Sequence, residues 1–164
     1  LRGTLKEIPA VARGVLHALE LAKEDVARWC GALSAEEMEA RPLGLPSVAF
    51  QLRHIARSVD RLLTYAEGGK LNSRQMAELK SETQRGGARA EVLEEFENAL
   101  SRSGARVRPL QNADLEAARF VGKRKLPSSL GGLLVHVAEH TQRHVGQAIT
   151  TAKVVMAGRD AGDE

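Results

Sequence analysis

The chain has 164 residues, 43% of them hydrophobic and 27% charged, the balance of an ordinary globular domain with one sizeable core. Aromatics make up only 3%, and the hydrophobic fraction rests on Ala, Leu and Val, a helix-forming composition poor in the residues that strands prefer. The net charge of +3 is a mild bias that a nucleic-acid binder shares with many enzymes, so it selects neither.

From Ile8 the apolar positions Ile8, Ala12, Val15, Leu19, Ala22, Val26, Trp29 and Leu33 alternate steps of four and three, which predicts one long helix with a single buried stripe. Ser34 to Glu39 reads as a short capped helix, with Glu37 three residues after Ser34, closed by Arg41-Pro42. A second long helix is predicted from Ser47, with Val48, Leu52, Ile55, Val59, Leu62 and Ala66 on one face, stopping at Gly68-Gly69. Residues 70–87 read as a connection with at most one short helix, ended by Arg85-Gly86-Gly87. A third helix carries Val92, Phe96, Ala99 or Leu100, and Ser103 in register until Pro109. Residues 109–128 form a second long connection, with a helical fragment from Asp114 to Phe120 and the basic triplet Lys123-Arg124-Lys125. The last helix is predicted from near Ser128 or Ser129 to about Ala157, before a loose tail over 158–164.

Four long helices and no convincing strand predict an all-α fold: a four-helix bundle with short helices in its connections, one domain over 1–164 with its core at about 4–157. The long link between the second and third helices lets them run parallel. No run approaches the roughly 18 apolar residues of a membrane span, and the first residues lack an apolar signal core, so no membrane partner is expected. The chain opens on Leu1 rather than Met, so a few native residues are expected to precede it. The single cysteine, Cys30, excludes an internal disulfide framework and any Cys-based zinc cluster; a buried structural thiol and a cytoplasmic location are expected.

With cysteine scarce, the five histidines carry the chemistry. His136, His140 and His144 are spaced by four on the last helix, so adjacent pairs stack on one face and could chelate one ion. Taking roughly 100° per residue from Val137, the apolar stripe spans about 0° to 60°, with His144 near −20°, His140 near −60° and His136 near −100°. His140 and His144 are therefore the expected buried pair, with His136 at the rim. A lone half-buried histidine is ordinarily a packed residue bonded to a carbonyl or carboxylate, whereas two at i and i+4 shift the balance toward a chelate. A metal site needs a third ligand. His17 lies roughly 200° around its helix from Val15 and reads as solvent-facing, while His54 lies about 100° from Ile55 on the flank of its stripe. Periodicity leaves the third ligand open between them.

Leu33-Ser34 through Arg41-Pro42, followed by Ser47-Val48-Ala49-Phe50-Gln51-Leu52-Arg53-His54-Ile55-Ala56, resembles the first half of the DinB-like (YfiT-type) metalloenzyme superfamily. The segment Leu134 to Gln147 resembles that family's closing motif, His-xxx-His followed closely by Gly-Gln, here His140, His144 and Gly146-Gln147. The resemblance covers most of the chain to Val155, the stretch 70–125 matching only in helical character. It implies an up-down-down-up four-helix bundle that binds a divalent ion through three histidines, by position His54, His140 and His144. His136 matches a frequent extra family histidine and is a candidate pocket residue. Val145 stands where the family often has Arg, so a contact made by that Arg has no counterpart at this position.

Other readings fit the same residues less well. His136-Val137-Ala138-Glu139-His140 matches the H-x-x-E-H pattern of inverted zinc proteases, but the acidic ligand that pattern requires would have to come from the loose tail. Di-iron carboxylate bundles need Glu three residues before a ligand His, and none stands there. Lys123-Arg124-Lys125 has no interleaved aromatic for base stacking and reads as a solvated loop, so no nucleic-acid partner is expected. Gly86-Gly87 and Gly131-Gly132 lack a phosphate-loop context and read as hinges or helix ends.

All-nitrogen ligation suits zinc first, with nickel, iron or manganese also accepted by imidazole. Three histidines leave an open position of the catalytic type. Family relatives include thiol S-transferases, so the resemblance implies a metal-dependent transferase that uses a low-molecular-weight bacterial thiol on a small-molecule electrophile, and a homodimer. The alternatives are a metal-dependent hydrolase and a non-enzymatic metal-binding stress-response protein. If a thiol reacts here, the lone cysteine suggests that it arrives with the substrate.

Overall fold

The computed structural model describes residues 3–84 and 86–160. Capping side chains set where the helices begin. Ser34 and Glu37 exchange both bonds of a capping box at 3.2 and 2.7 Å and start α2 (Ala35–Glu39) after the long α1 (Ala10–Cys30). The Ser47 hydroxyl accepts the Phe50 N–H at 3.2 Å and starts α3 (Val48–Ala66). Asn72 and Gln75 form a second capping box at α4 (Ser73–Lys80). Then follow α5 (Arg89–Val107), a hairpin of β1 (Ala118–Val121) and β2 (Leu126–Ser129), and α6 (Leu130–Asp160), with 3-10 turns at Pro42–Gly44 and Arg108–Asn112.

Contacts along the four long helices fix their directions. Gln142 donates to the Ala18 carbonyl at 2.8 Å and Lys153 lies 4.2 Å from the Trp29 ring centre, so α1 and α6 run parallel. Thr151 donates to the Pro46 carbonyl at 3.0 Å while His54 meets His140, so α3 runs antiparallel to α6. Arg57 pairs with Glu95 at 2.8 Å, and Arg106 with Asp60 at 2.6 Å and Glu67 at 2.7 Å, so α5 runs parallel to α3. The result is the up-down-down-up bundle. Its core is built on Leu52, Leu63, Phe96, Leu100 and Leu134, each at most 1% exposed, and fully burying a side chain of this size is worth roughly 1.5–3 kcal/mol.

The segment from Asp114 to Phe120 corrects the sequence reading, because it is not helical. Asp114 accepts the Glu116 N–H on its side chain at 3.0 Å and the Ala117 N–H on its carbonyl at 3.1 Å, a turn that diverts the chain before a helix can propagate. Phe120 then pairs with Pro127 and Val121 with Leu126, across a loop in which Gly122 takes φ +70°, a conformation glycine adopts freely. The bundle therefore carries one strand pair that the hydrophobic pattern does not announce.

Other differences are small. The chain leaves α1 at Cys30, and Leu33 reaches the core from the following turn at 2% exposure. The 3-10 turn carries the chain past Pro109. Gly131-Gly132 lies in the first turn of α6, where a Cβ on Gly131 would come within 3.2 Å of Leu115. Helix α6 runs through Asp160, beyond the expected end near Ala157; residues 161–164 of the expected tail lie outside the described residues. No described helix is long and apolar enough to cross a membrane.

Cys30 is fully buried, and burial pushes its thiol from 9.0 up to about 11. Near pH 8 the folded chain therefore holds about a hundredth of the thiolate of the unfolded chain. Alkylation by iodoacetamide at that pH, followed by mass spectrometry, should be at least about 100-fold slower in native protein than in urea; equal rates would contradict the buried placement.

Candidate metal centre

Helix α6 carries His140 and His144 one turn apart, and the facing antiparallel α3 carries His54. The ring centres lie 4.5 Å apart for His140 and His144, 4.3 Å for His54 and His144, and 5.0 Å for His54 and His140. One ring nitrogen from each lies within 4.8 Å of the other two, a cluster that could hold a metal ion. His17 does not join it; it is half-buried on α1, with Nε2 3.3 Å from the Thr4 hydroxyl. The third position that periodicity leaves open is thus filled by His54.

The outer nitrogen of each ring has its own neighbour. His144 Nδ1 sits 2.7 Å from Gln51 Oε1; with the amide oxygen as acceptor, Nδ1 carries the proton and Nε2 keeps its lone pair. His140 Nδ1 lies 3.5 Å from the Ser58 hydroxyl, the outer limit of a hydrogen bond, and that hydroxyl donates to the His54 carbonyl. His54 Nδ1 lies 3.2 Å from Glu82 Oε1. The angle there falls short of a hydrogen bond and leaves Nδ1 unsatisfied, with the carboxylate oxygen beside it. Glu82 is anchored in turn by Arg61 Nη2 at 2.8 Å. Burial works to raise the Glu82 carboxyl, yet the His54 and Arg61 contacts hold it below the usual carboxylate range.

The residues present fit a divalent cation. His54 Nε2 and His140 Nε2 face each other at 3.2 Å, close to the roughly 3.4 Å between two nitrogens of a tetrahedral zinc site. With both protons on the outer nitrogens, the two Nε2 lone pairs would face one another and could bind one cation. Burial first, and then the neighbouring His144 and His54, depress His140 to about 4, and burial followed by His54 lowers His144. Both rings therefore favour the neutral form, with one ring nitrogen free to bind, as a metal requires.

His136 stands at the rim, as its position on the helical wheel predicts. Its side chain is 45% exposed, its ring centre is 5.5 Å from that of His140, and its Nδ1 lies 2.7 Å from Glu139, which also pairs with Arg143. Phe50 stacks on His54 at 5.7 Å and 15°. Val145 is 1% exposed within the core, so the position has no room for an arginine's charge.

Sequence reasoning misses Gln51, Ser58 and Glu82. Gln51 left a signal: a glutamine three residues before His54, at the edge of the apolar stripe of its helix and here 1% exposed. Glu82 left none, since it sits in the turn after α4, outside any periodic segment.

Three imidazoles on two antiparallel helices of an up-down-down-up bundle define a candidate metalloprotein centre. The chain belongs to the DinB superfamily, whose family model matches residues 18–148, a span that includes all three histidines. No curated protein and no solved structure matches the chain.

Partners of metal-binding histidines typically govern affinity by about 10–100-fold. Glu82→Gln and Gln51→Ala should each weaken zinc binding within that range in a chelator-competition titration, His144→Ala should abolish stoichiometric binding, and His136→Ala should leave it intact. Loss of metal in His136→Ala with retention in His144→Ala would shift the site by one turn.

Proposed function

We propose that the chain is a divalent-metal-dependent transferase that joins a low-molecular-weight bacterial thiol to a small electrophile. The observation that carries this reading is the donor set itself: three imidazoles, with no further Cys, His, Asp or Glu ligand grouped with them among the described residues. Such a set leaves one position of a tetrahedral ion for an exchangeable group. Zinc suits all-nitrogen ligation best, with nickel, iron and manganese as alternatives. When bound, such an ion supplies a Lewis acid that lowers the pKa of a thiol or water at its open position.

The chain's own residues do the positioning. His54, His140 and His144 would hold the ion, while Gln51, Ser58 and Glu82 keep the ring protons on the outer nitrogens. Phe50 stacks beside His54, nearly parallel to it. Cys30 is buried in the core, so the reacting sulfur comes with the cosubstrate. In the transfer, the sulfur lone pair forms the new bond to an electrophilic carbon and the bond from that carbon to its leaving group breaks with its electron pair. The S–H proton departs with the leaving group or to solvent, so no oxidant or reductant is needed.

One observation favours a hydrolase as second reading: the rim imidazole His136, held by Glu139, is the kind of pair a water-using reaction needs beside the ion. Incubating the metal-loaded protein with a panel of electrophiles, with and without added thiol, separates the readings. Conjugate formation that requires both thiol and metal and is lost in His140→Ala is the expected result. Turnover without thiol would favour the hydrolase, and inertness with metal bound would favour a binding role in stress response.

A further inference from the structure

A cleft of about 710 Å³ opens between the end of α3, the start of α4 and the hairpin, within the size range of small-molecule sites. Tyr65 on α3 follows His54 by eleven residues, roughly 16 Å of helix rise, so the cleft is separate from the histidine cluster and does not depend on a metal.

Its walls combine two chemistries. Tyr65, Met76 and Phe120 give it an apolar surface, and Phe120 keeps 57% of its surface open to solvent. This aromatic pair beside the basic loop is invisible in the sequence, because β1 and α3 bring it there from distant positions. Lys70, Lys123 and Lys125 supply the charge; no acidic side chain lines the cleft, and none of the three makes an ion pair among the described residues. Arg119 adds a fourth cation. Its Nε and Nη1 donate to the carbonyls of Ala66 at 2.6 Å and Ala118 at 2.9 Å, which orients the guanidinium without neutralising it.

Lys123 and Lys125 also sit on a closed turn. Lys125 donates its N–H to the Gly122 carbonyl at 3.1 Å and itself adopts φ 51°. That conformation is uncommon for a residue with a side chain and persists where the surroundings hold it.

A neutral hydrocarbon would cover the apolar wall and leave four cations uncompensated. An inorganic anion would do the reverse. We propose that this cleft is a second binding site, for a soluble organic anion that joins a carboxylate, sulfonate or phosphate head to an apolar body. The concave shape and small-molecule size of the cleft favour a small molecule over an extended nucleic acid.

Titration of isotope-labelled full-length protein with octanoate below its micellar concentration, followed by amide chemical shifts, tests this. Saturable binding is expected, with shifts concentrated at residues 68–71 and 118–125. Lys123→Glu combined with Lys125→Glu should weaken it by at least about tenfold, as should Lys70→Glu alone, which leaves the hairpin untouched if the double variant misfolds. Octanol and inorganic phosphate should each bind at least about tenfold more weakly than octanoate. Four results would overturn the proposal: no saturation; shifts confined to the histidine cluster; equal affinity in the charge-reversed variants; or retention by phosphatidylglycerol vesicles or a short oligothymidylate without saturable octanoate binding.

Discussion

The antiparallel register of α3 against α6 is the constraint on which the site depends. His54 comes from one helix and His140 with His144 from the other, so the cluster exists only while the two helices keep their relative position. Displacement by one helical turn, about 5.4 Å, would bring His54 past the gap between the two α6 rings. The register is locked at several levels. Thr151 donates to the Pro46 carbonyl at the start of α3, and Gln51 reaches His144. Leu52 and Ile55 from α3 and Val137 and Val145 from α6 belong to the same apolar core.

Charge is distributed around this seam in two shells. The inner shell is the three imidazoles, two of which, His140 and His144, burial holds below the usual histidine range. Behind it, α3 carries Arg53, Arg57 and Arg61 at steps of four, facing carboxylates from three other segments: Glu39, Glu95 and Glu82. Arg61 and His54 both lean on Glu82 Oε1, so the arginine that anchors the α4–α5 connection also fixes the carboxylate behind a candidate ligand. Arg61 Nη1 is buried without a hydrogen-bond partner, a local cost that the surrounding packing absorbs. Glu82 and Arg61 offset one another's charge, so a divalent cation at the imidazoles would keep most of its electrophilic character.

Much of this is legible in the sequence because helices write their buried faces at a fixed spacing. The stripes of α1, α3, α5 and α6, the Ser34 and Ser47 caps, and the His140–His144 pair can all be read this way. His54 could not be placed from periodicity, since α3 is buried against both α5 and α6, and a single-stripe wheel puts anything between those two contacts on an ambiguous flank; its assignment came from the family motif. The hairpin escaped because strands of four residues are too short to show alternation, and the Asp114 turn looks like a helix start until its side chain is seen to bond the backbone two residues on. Glu82 escapes because turns carry no period, and the basic cleft because its aromatic and cationic residues come from two segments, 65–76 and 118–125, that are distant in sequence.

The most direct test is X-ray absorption spectroscopy, with elemental analysis, on protein purified without a histidine tag. The account predicts about one divalent ion per chain, bound by three imidazole nitrogens at about 2.0–2.1 Å for zinc and one further light ligand. Absence of a stoichiometric ion after loading, or a shell with fewer than three imidazoles, would contradict it.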